Sequence, residues 1–144
     1  MIYQTRDFGE IEIDSNQIID FRQPIFGFDG YCKYAVLHDS EMDAGIAWLQ
    51  SVEEPDLCFV LVSSGSAPIP YKPNLPGDIA DIIGEGDYEC WLIAVIHDDI
   101  EKSTINLKSP VVINWKTGLA AQVIVDGGYS VRQPLIMEEA ADSC

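Results

Sequence analysis

The chain is punctuated into short apolar runs, and almost all of them carry the period of a strand. Phe8-Gly9-Glu10-Ile11-Glu12-Ile13 alternates apolar with acidic side chains, as a strand with one buried face does. Runs rich in Val, Ile and aromatic residues follow at 34–37, 46–51, 57–62, 90–96, 104–107, 111–115 and 121–125, bounded by Pro, Gly, Asn and Asp. One segment breaks the pattern. In 76–84, Ile79, Ile82 and Ile83 share a helical face behind a candidate cap, Asp78, which predicts a short helix. Trp115-Lys116-Thr117-Gly118-Leu119 reads as a hairpin connection, and Asp126-Gly127-Gly128 as a further turn. The Pro-rich stretch 63–73 cannot join a central ladder and is expected to run over the surface. Many short strands without long helical segments predict a mainly β, compact antiparallel barrel or sandwich: a single domain over 1–137 with one short helix. The last residues, 138–144, read as a mobile acidic tail.

Composition agrees with a folded domain. A chain of 144 residues with 47% hydrophobic content can bury a core, so its acidity is not a sign of disorder. No run is long and apolar enough to predict a membrane span, and the N-terminal residues lack the basic and apolar regions of a secretion signal. Cys32, Cys58, Cys90 and Cys144 are widely separated with no CxxC pair, which fits free, reduced thiols and a cytoplasmic location.

Charge narrows the function. Lys and Arg number 8 against 24 Asp and Glu, for a net charge of −16. Residues 1–101 hold 4 basic and 20 acidic side chains, whereas 102–137 hold 4 basic and 1 acidic. Such a surface repels phosphate and anionic membrane, which argues against direct nucleic-acid or membrane binding and for a protein partner with a basic face.

Catalytic and metal signatures are sparse. His38 and His97 are the only histidines, and neither has cysteine ligands at metal-binding spacing. Asp39-Ser40-Glu41-Met42-Asp43 imitates the start of a calcium loop, but Ala44 stands where the turn needs Gly and Gln50 where the bidentate Glu belongs. Gly27-Phe28-Asp29-Gly30 lacks the strand–turn–helix context of a nucleotide fingerprint, and no P-loop lysine is present. Ser63, Ser64 and Ser66 lack a nucleophile-elbow pattern, and Glu53-Glu54 and Asp98-Asp99 follow from composition alone. No cofactor, metal or catalytic residue is expected. There remain polar residues set inside strand-like runs, Gln50, Asn106 and Asn114. They either satisfy loop and edge backbone groups or meet a partner directly.

These segments, in order, resemble the bacterial FliW family of flagellar assembly factors. The resemblance runs from about residue 2 to residue 135. It rests on Phe21 through Gly27-Phe28, on Leu49-Gln50-Ser51-Val52-Glu53 with Pro55, on Thr104-Ile105-Asn106-Leu107 with Pro110, and on Ile113-Asn114. Gln122, Tyr129 and Arg132-Gln133-Pro134-Leu135 complete it. Two departures stand out. Pro24-Ile25-Phe26-Gly27-Phe28 replaces the family's usual Gly-Ile-Pro-Gly-Phe, and the Pro-rich stretch matches only at Tyr71 and Pro76.

The resemblance implies a non-enzymatic β-barrel-like protein, monomeric when free, that binds the RNA-binding repressor CsrA and newly made flagellin. Its antagonism of CsrA would relieve repression of flagellin translation. On this basis Gln50, Ser51, Glu53, Glu54, Asn106 and Asn114 are the candidate partner-binding residues, and Phe21, Gly27, Phe28, Pro55, Pro110 and Pro134 the candidate structural motif. Two alternatives stay open: a flagellin chaperone without repressor binding, and a small ligand-binding barrel or enzyme around Tyr71, Trp91 and His97.

Overall fold

The structure, a computed structural model, describes residues 2–6, 8–38, 45–67, 69, 71–96 and 98–134. Its elements are β1 (Ile2–Thr5), β2 (Gly9–Glu12), β3 (Ile18–Gln23), β4 (Lys33–Leu37), β5 (Ile46–Ser51), β6 (Cys58–Ser63), α1 (Ile79–Ile83), β7 (Tyr88–Val95), β8 (Thr104–Ile105), β9 (Val111–Asn114), β10 (Leu119–Gln122) and β11 (Gln133–Pro134). Seven strands close on themselves in the order β7-β6-β5-β4-β3-β10-β9 and back to β7. A closed barrel leaves no open edge along that ring, which settles barrel over sandwich. All pairings in it are antiparallel except β3 with β10, which is parallel and slips register between Ala120 and Ala121.

Side chains alternate across this wall. Ile19, Phe21, Tyr34, Val36, Ala47, Leu49, Leu61, Trp91, Val111, Ile113 and Ala120 point inward and form the barrel core. Much of the outer surface is buried as well. Ile79 and Ile83 of α1 cover Val112, Ala121, Val123 and Val125, and a second outer layer joins Val62, Leu92 and Ala94 to Ile105 and Leu107. The Pro-rich stretch forms part of this layer, because Ala67, Ile69 and Tyr71 pack on it. Tyr71 Oη donates to Leu107 O at 2.6 Å, and its ring meets Tyr129 edge-on at 4.6 Å between centroids.

The strands depart from the sequence expectation where hydrogen bonding overrides pattern. β3 was not evident from periodicity, since Ile18 and Ile19 are adjacent and Arg22 and Gln23 are exposed; its pairing with β4 and β10 makes it a strand. β1 was likewise unpredicted and forms a separate hairpin with β2. The run 104–107 shrinks to two residues because Asn106 Oδ1 accepts Lys108 N and Ser109 N and turns the chain. The helix is shorter than 76–84, and the Asp78 side chain makes no capping bond; its carbonyl accepts Asp81 N and Ile82 N instead. Cys32, Cys58 and Cys90 form no disulfide among the described residues, and each is partly rather than fully buried. The tail 138–144 and the boundary at 137 lie outside the described residues.

Candidate functional site

Strand register places most of the sequence-predicted residues at one end of the barrel. β5 ends and β6 begins there, since Ser51 lies opposite Tyr34 near the start of β4 and Gln50 opposite Cys58. β3 runs toward this end and β10 runs parallel to it, with Ala121 opposite Gln23 and Gln122 opposite Val111. The connections 24–32, 52–57 and 106–110 therefore gather together. Gln50, Ser51, Glu53, Glu54 and Asn106 share this end with Gly27, Phe28, Pro55 and Pro110. Asn114 lies at the opposite end, beside the 115–118 hairpin.

The 52–57 connection is held by its own polar side chains. Gln50 points to the outside of the barrel yet is fully buried, because this loop folds over it. Its Nε2 faces Ser51 O at 3.0 Å and Pro55 O and Leu57 O at 3.2 Å. Three carbonyls can only accept, which identifies the nitrogen end of the amide. Gln50 Oε1 is buried with no hydrogen-bond partner among the described residues. Ser51 Oγ accepts Glu53 N at 3.0 Å and Glu54 N at 2.9 Å, and Glu54 Oε2 accepts Asp56 N at 3.1 Å. Glu53 reaches across to β4, where Oε1 accepts Cys32 N at 2.8 Å and Lys33 N at 3.1 Å. Pro55 O in turn accepts Arg6 N, tying the β1–β2 hairpin to the loop tip. The arrangement presents Glu53, Glu54 and Asp56 on a constrained backbone. Tyr34, just inside, has its phenol held well above the ordinary range, first by burial and then by the Glu53 carboxylate.

A second network joins the other two connections. Gln122 Oε1 accepts Phe26 N at 2.7 Å, and its Nε2 donates to Ser109 O at 3.1 Å. The turn at Phe26-Gly27, with Gly27 at φ +89°, is thereby fixed to the turn that Asn106 closes. The Pro24–Phe28 departure from the family pattern keeps its turn through Gly27 and leaves Phe26 half exposed at 50%. Phe28 packs edge-on against Phe59 at 5.2 Å, and Phe21 against Tyr34 at the same separation. Gln122 is the residue whose role sequence reasoning missed. Nothing in its local pattern says that both ends of its amide are used.

Asn114, fully buried at the other end, is likewise a pin. Its Nδ2 donates to Ile83 O and Glu85 O, and its Oδ1 accepts Lys116 N and Thr117 N. Gly84 approaches closely here; at φ +86° a Cβ would sit 2.8 Å from Thr117 Cγ2. Nearby, Glu89 Oε1 accepts the indole N–H groups of Trp91 and Trp115. Tyr71 and Trp91 do not share a pocket. Trp91 belongs to the barrel core and Tyr71 to the outer layer, while His97 lies outside the described residues. His38 packs by the Trp91 ring at 6.0 Å. No group of three metal-binding side chains occurs among the described residues.

The architecture recurs in known proteins. The family model described as FliW protein matches residues 2–135. The chain belongs to the FliW family. The flagellar assembly factor FliW of Ruminiclostridium cellulolyticum is 35% identical over 143 residues, covering 96% of each chain. That of Alkaliphilus metalliredigens is 33% identical over 146 residues, covering 96% of this chain and 88% of its own. A solved structure, the crystal structure of the flagellar assembly factor FliW, superposes with a TM-score of 0.84 at 30% identity and covers 96% of this chain. The barrel with its short helix α1 is thus the FliW fold. No helix among the described residues is long and apolar enough to cross a membrane.

Proposed function

We propose that this FliW-family protein is a non-enzymatic cytoplasmic regulator that binds the RNA-binding repressor CsrA and, separately, flagellin, so that flagellin translation is released from repression. The observation that carries this reading is the acidic 52–57 loop, held rigid at a barrel end in a chain of net charge −16. An RNA-binding protein presents Lys and Arg, and carboxylates on a fixed backbone pair with them at little ordering cost. Bound acidic bulk also repels incoming RNA without covering its groove.

Within this reading the candidate residues divide by task. Glu53 and Glu54 supply charge, whereas Gln50 and Ser51 set the loop's shape from beneath. Asn106 shapes the neighbouring turn. Asn114, buried at the opposite end, acts on any partner only through the fold.

Calorimetric titration with CsrA and with a flagellin C-terminal peptide, singly and in competition, tests the proposal. Binding of both supports it. Binding of flagellin alone would leave a chaperone, and binding of neither would sink it. Charge reversal at Glu53 and Glu54 is a poor variant, because both carboxylates also hold backbone N–H groups. The pair Glu53→Gln and Glu54→Gln keeps an acceptor oxygen while removing charge. It is expected to weaken CsrA binding and its salt dependence with folding intact.

A further inference from the structure

The barrel is not sealed along its whole length. β7 shares one of its edges between two partners: Tyr88 through Trp91 pair with β9, whereas Ala94 and Val95 pair with β8. Beyond Trp91 the wall therefore splays, and positions that would face the core open outward. Ile93 still packs on the core, but Val95, two residues on, is 53% exposed. Thr104 lies directly opposite Val95 on β8, and Asn106 N bonds Ile93 O, which continues the same face. The result is a cavity of about 480 Å³ lined by Ile93, Val95, Thr104, Asn106, Lys102, Val131 and Arg132.

The chemistry of this groove is the reverse of the molecule's. Its floor is apolar, with Val131 also half exposed at 51%, and its two charged liners are cations in a chain with only 8. Among the described residues no carboxylate lines it. The volume falls in the range of ligand-binding clefts, roughly 300–1,000 Å³. An exposed apolar floor with a charged rim is the composition of a protein-docking site.

We propose that this groove docks a partner-protein segment that is both acidic and apolar, its carboxylates on Lys102 and Arg132 and an apolar side chain over Val95 and Val131. The inference is independent of the repressor reading, which concerns the acidic loop and a basic partner. The two sites select opposite charge, so one molecule can hold two different partners. Asn106, whose Oδ1 closes the turn to Lys108 and Ser109, also lines the groove.

The test is fluorescence anisotropy with a labelled peptide alternating Leu or Ile with Glu, and a control in which Lys replaces Glu. Saturable binding of the acidic peptide is expected, weaker at high salt and weakened about tenfold or more by Lys102→Glu with Arg132→Glu. Thr104→Trp, which fills the groove, is expected to block it, and Glu53→Gln with Glu54→Gln to leave it unchanged. Far-UV circular dichroism confirms that each variant folds; the exposed Lys102 and Arg132 positions keep the test valid if the Trp variant does not. Absence of saturable binding, preference for the Lys peptide, or indifference to the double Glu variant would overturn the proposal. So would binding seen only after shortening the chain at Pro134, which would assign the groove to residues 135–144 of the chain itself.

Discussion

Asn114 and Gln50 look alike in the sequence and do similar jobs at opposite ends of the barrel. Each points outward from its strand, and each is fully buried because a connection folds back over it. The difference lies in how completely the amide is used. Asn114 spends both ends, on two carbonyls and two N–H groups, and so locks the end of α1 to the 115–118 hairpin. Gln50 spends only its nitrogen, leaving Oε1 buried and unpaired among the described residues. The first is a finished structural pin. The second holds a charged loop in one shape through its nitrogen end.

Asn114→Ala should break this comparison most severely. It removes a partner from two carbonyls and two N–H groups around a buried residue, at a cost of about 3 kcal/mol or more in urea unfolding. Gly84→Ala strains the same corner through its positive φ and the Thr117 methyl, and should cost about 2 kcal/mol. Gln50→Ala is expected to cost less than Asn114→Ala, about 2 kcal/mol, and in addition to weaken the proposed CsrA binding by loosening the loop. If Gln50→Ala proves the more destabilising, or leaves binding untouched, the contrast fails.

Two tyrosines sharpen the same point at smaller magnitude. Tyr71→Phe removes a 2.6 Å bond to Leu107 O and should cost about 1 kcal/mol. Tyr34→Phe removes a buried hydroxyl with no partner among the described residues, and should leave the urea midpoint unchanged or raised.

The pH dependence follows from these groups. Burial, as the leading cause, raises the phenols of Tyr34 and Tyr71 and the thiol of Cys90 above their ordinary values. A raised folded-state value gives stability that is complete below the unfolded value and is lost as pH rises toward the folded one. The urea midpoint should therefore fall above about pH 8.5 for the thiol and about pH 10 for the phenols. Tyr34→Phe should flatten the upper part of that decline. Smallest of all in stability, Glu53→Gln with Glu54→Gln should move the midpoint little while changing binding most.

The legible part of the fold was the part whose burial is local. β5 spans the predicted run 46–51, because Ala47 and Leu49 face a core that any pairing of this strand would create. The hairpin between β9 and β10 was equally plain, with Gly118 at φ +73° where a side chain would be strained. β3 was hidden because its alternation is short and its identity comes from two partners distant in sequence. At the site, the sequence marked Gln50, Ser51, Glu53 and Glu54 as a group. It named Gln122 only within the family resemblance and not its role, because its partners Phe26 and Ser109 lie on other segments. Nor did it show the groove, since Val95, Lys102, Asn106 and Arg132 belong to four separate stretches.

By itself the sequence determined that this is a small, acidic, mainly β protein whose polar strand residues cluster in a few motifs, because period, turn chemistry and charge are local properties. Tertiary structure decided the rest. Ring closure put Asn106 with the Gln50 loop and Asn114 at the far end, and the split edge of β7 opened the one basic groove described on an acidic barrel. Both depend on which strands meet, and strand pairing is set by the summed burial of segments far apart in the chain rather than by any segment alone.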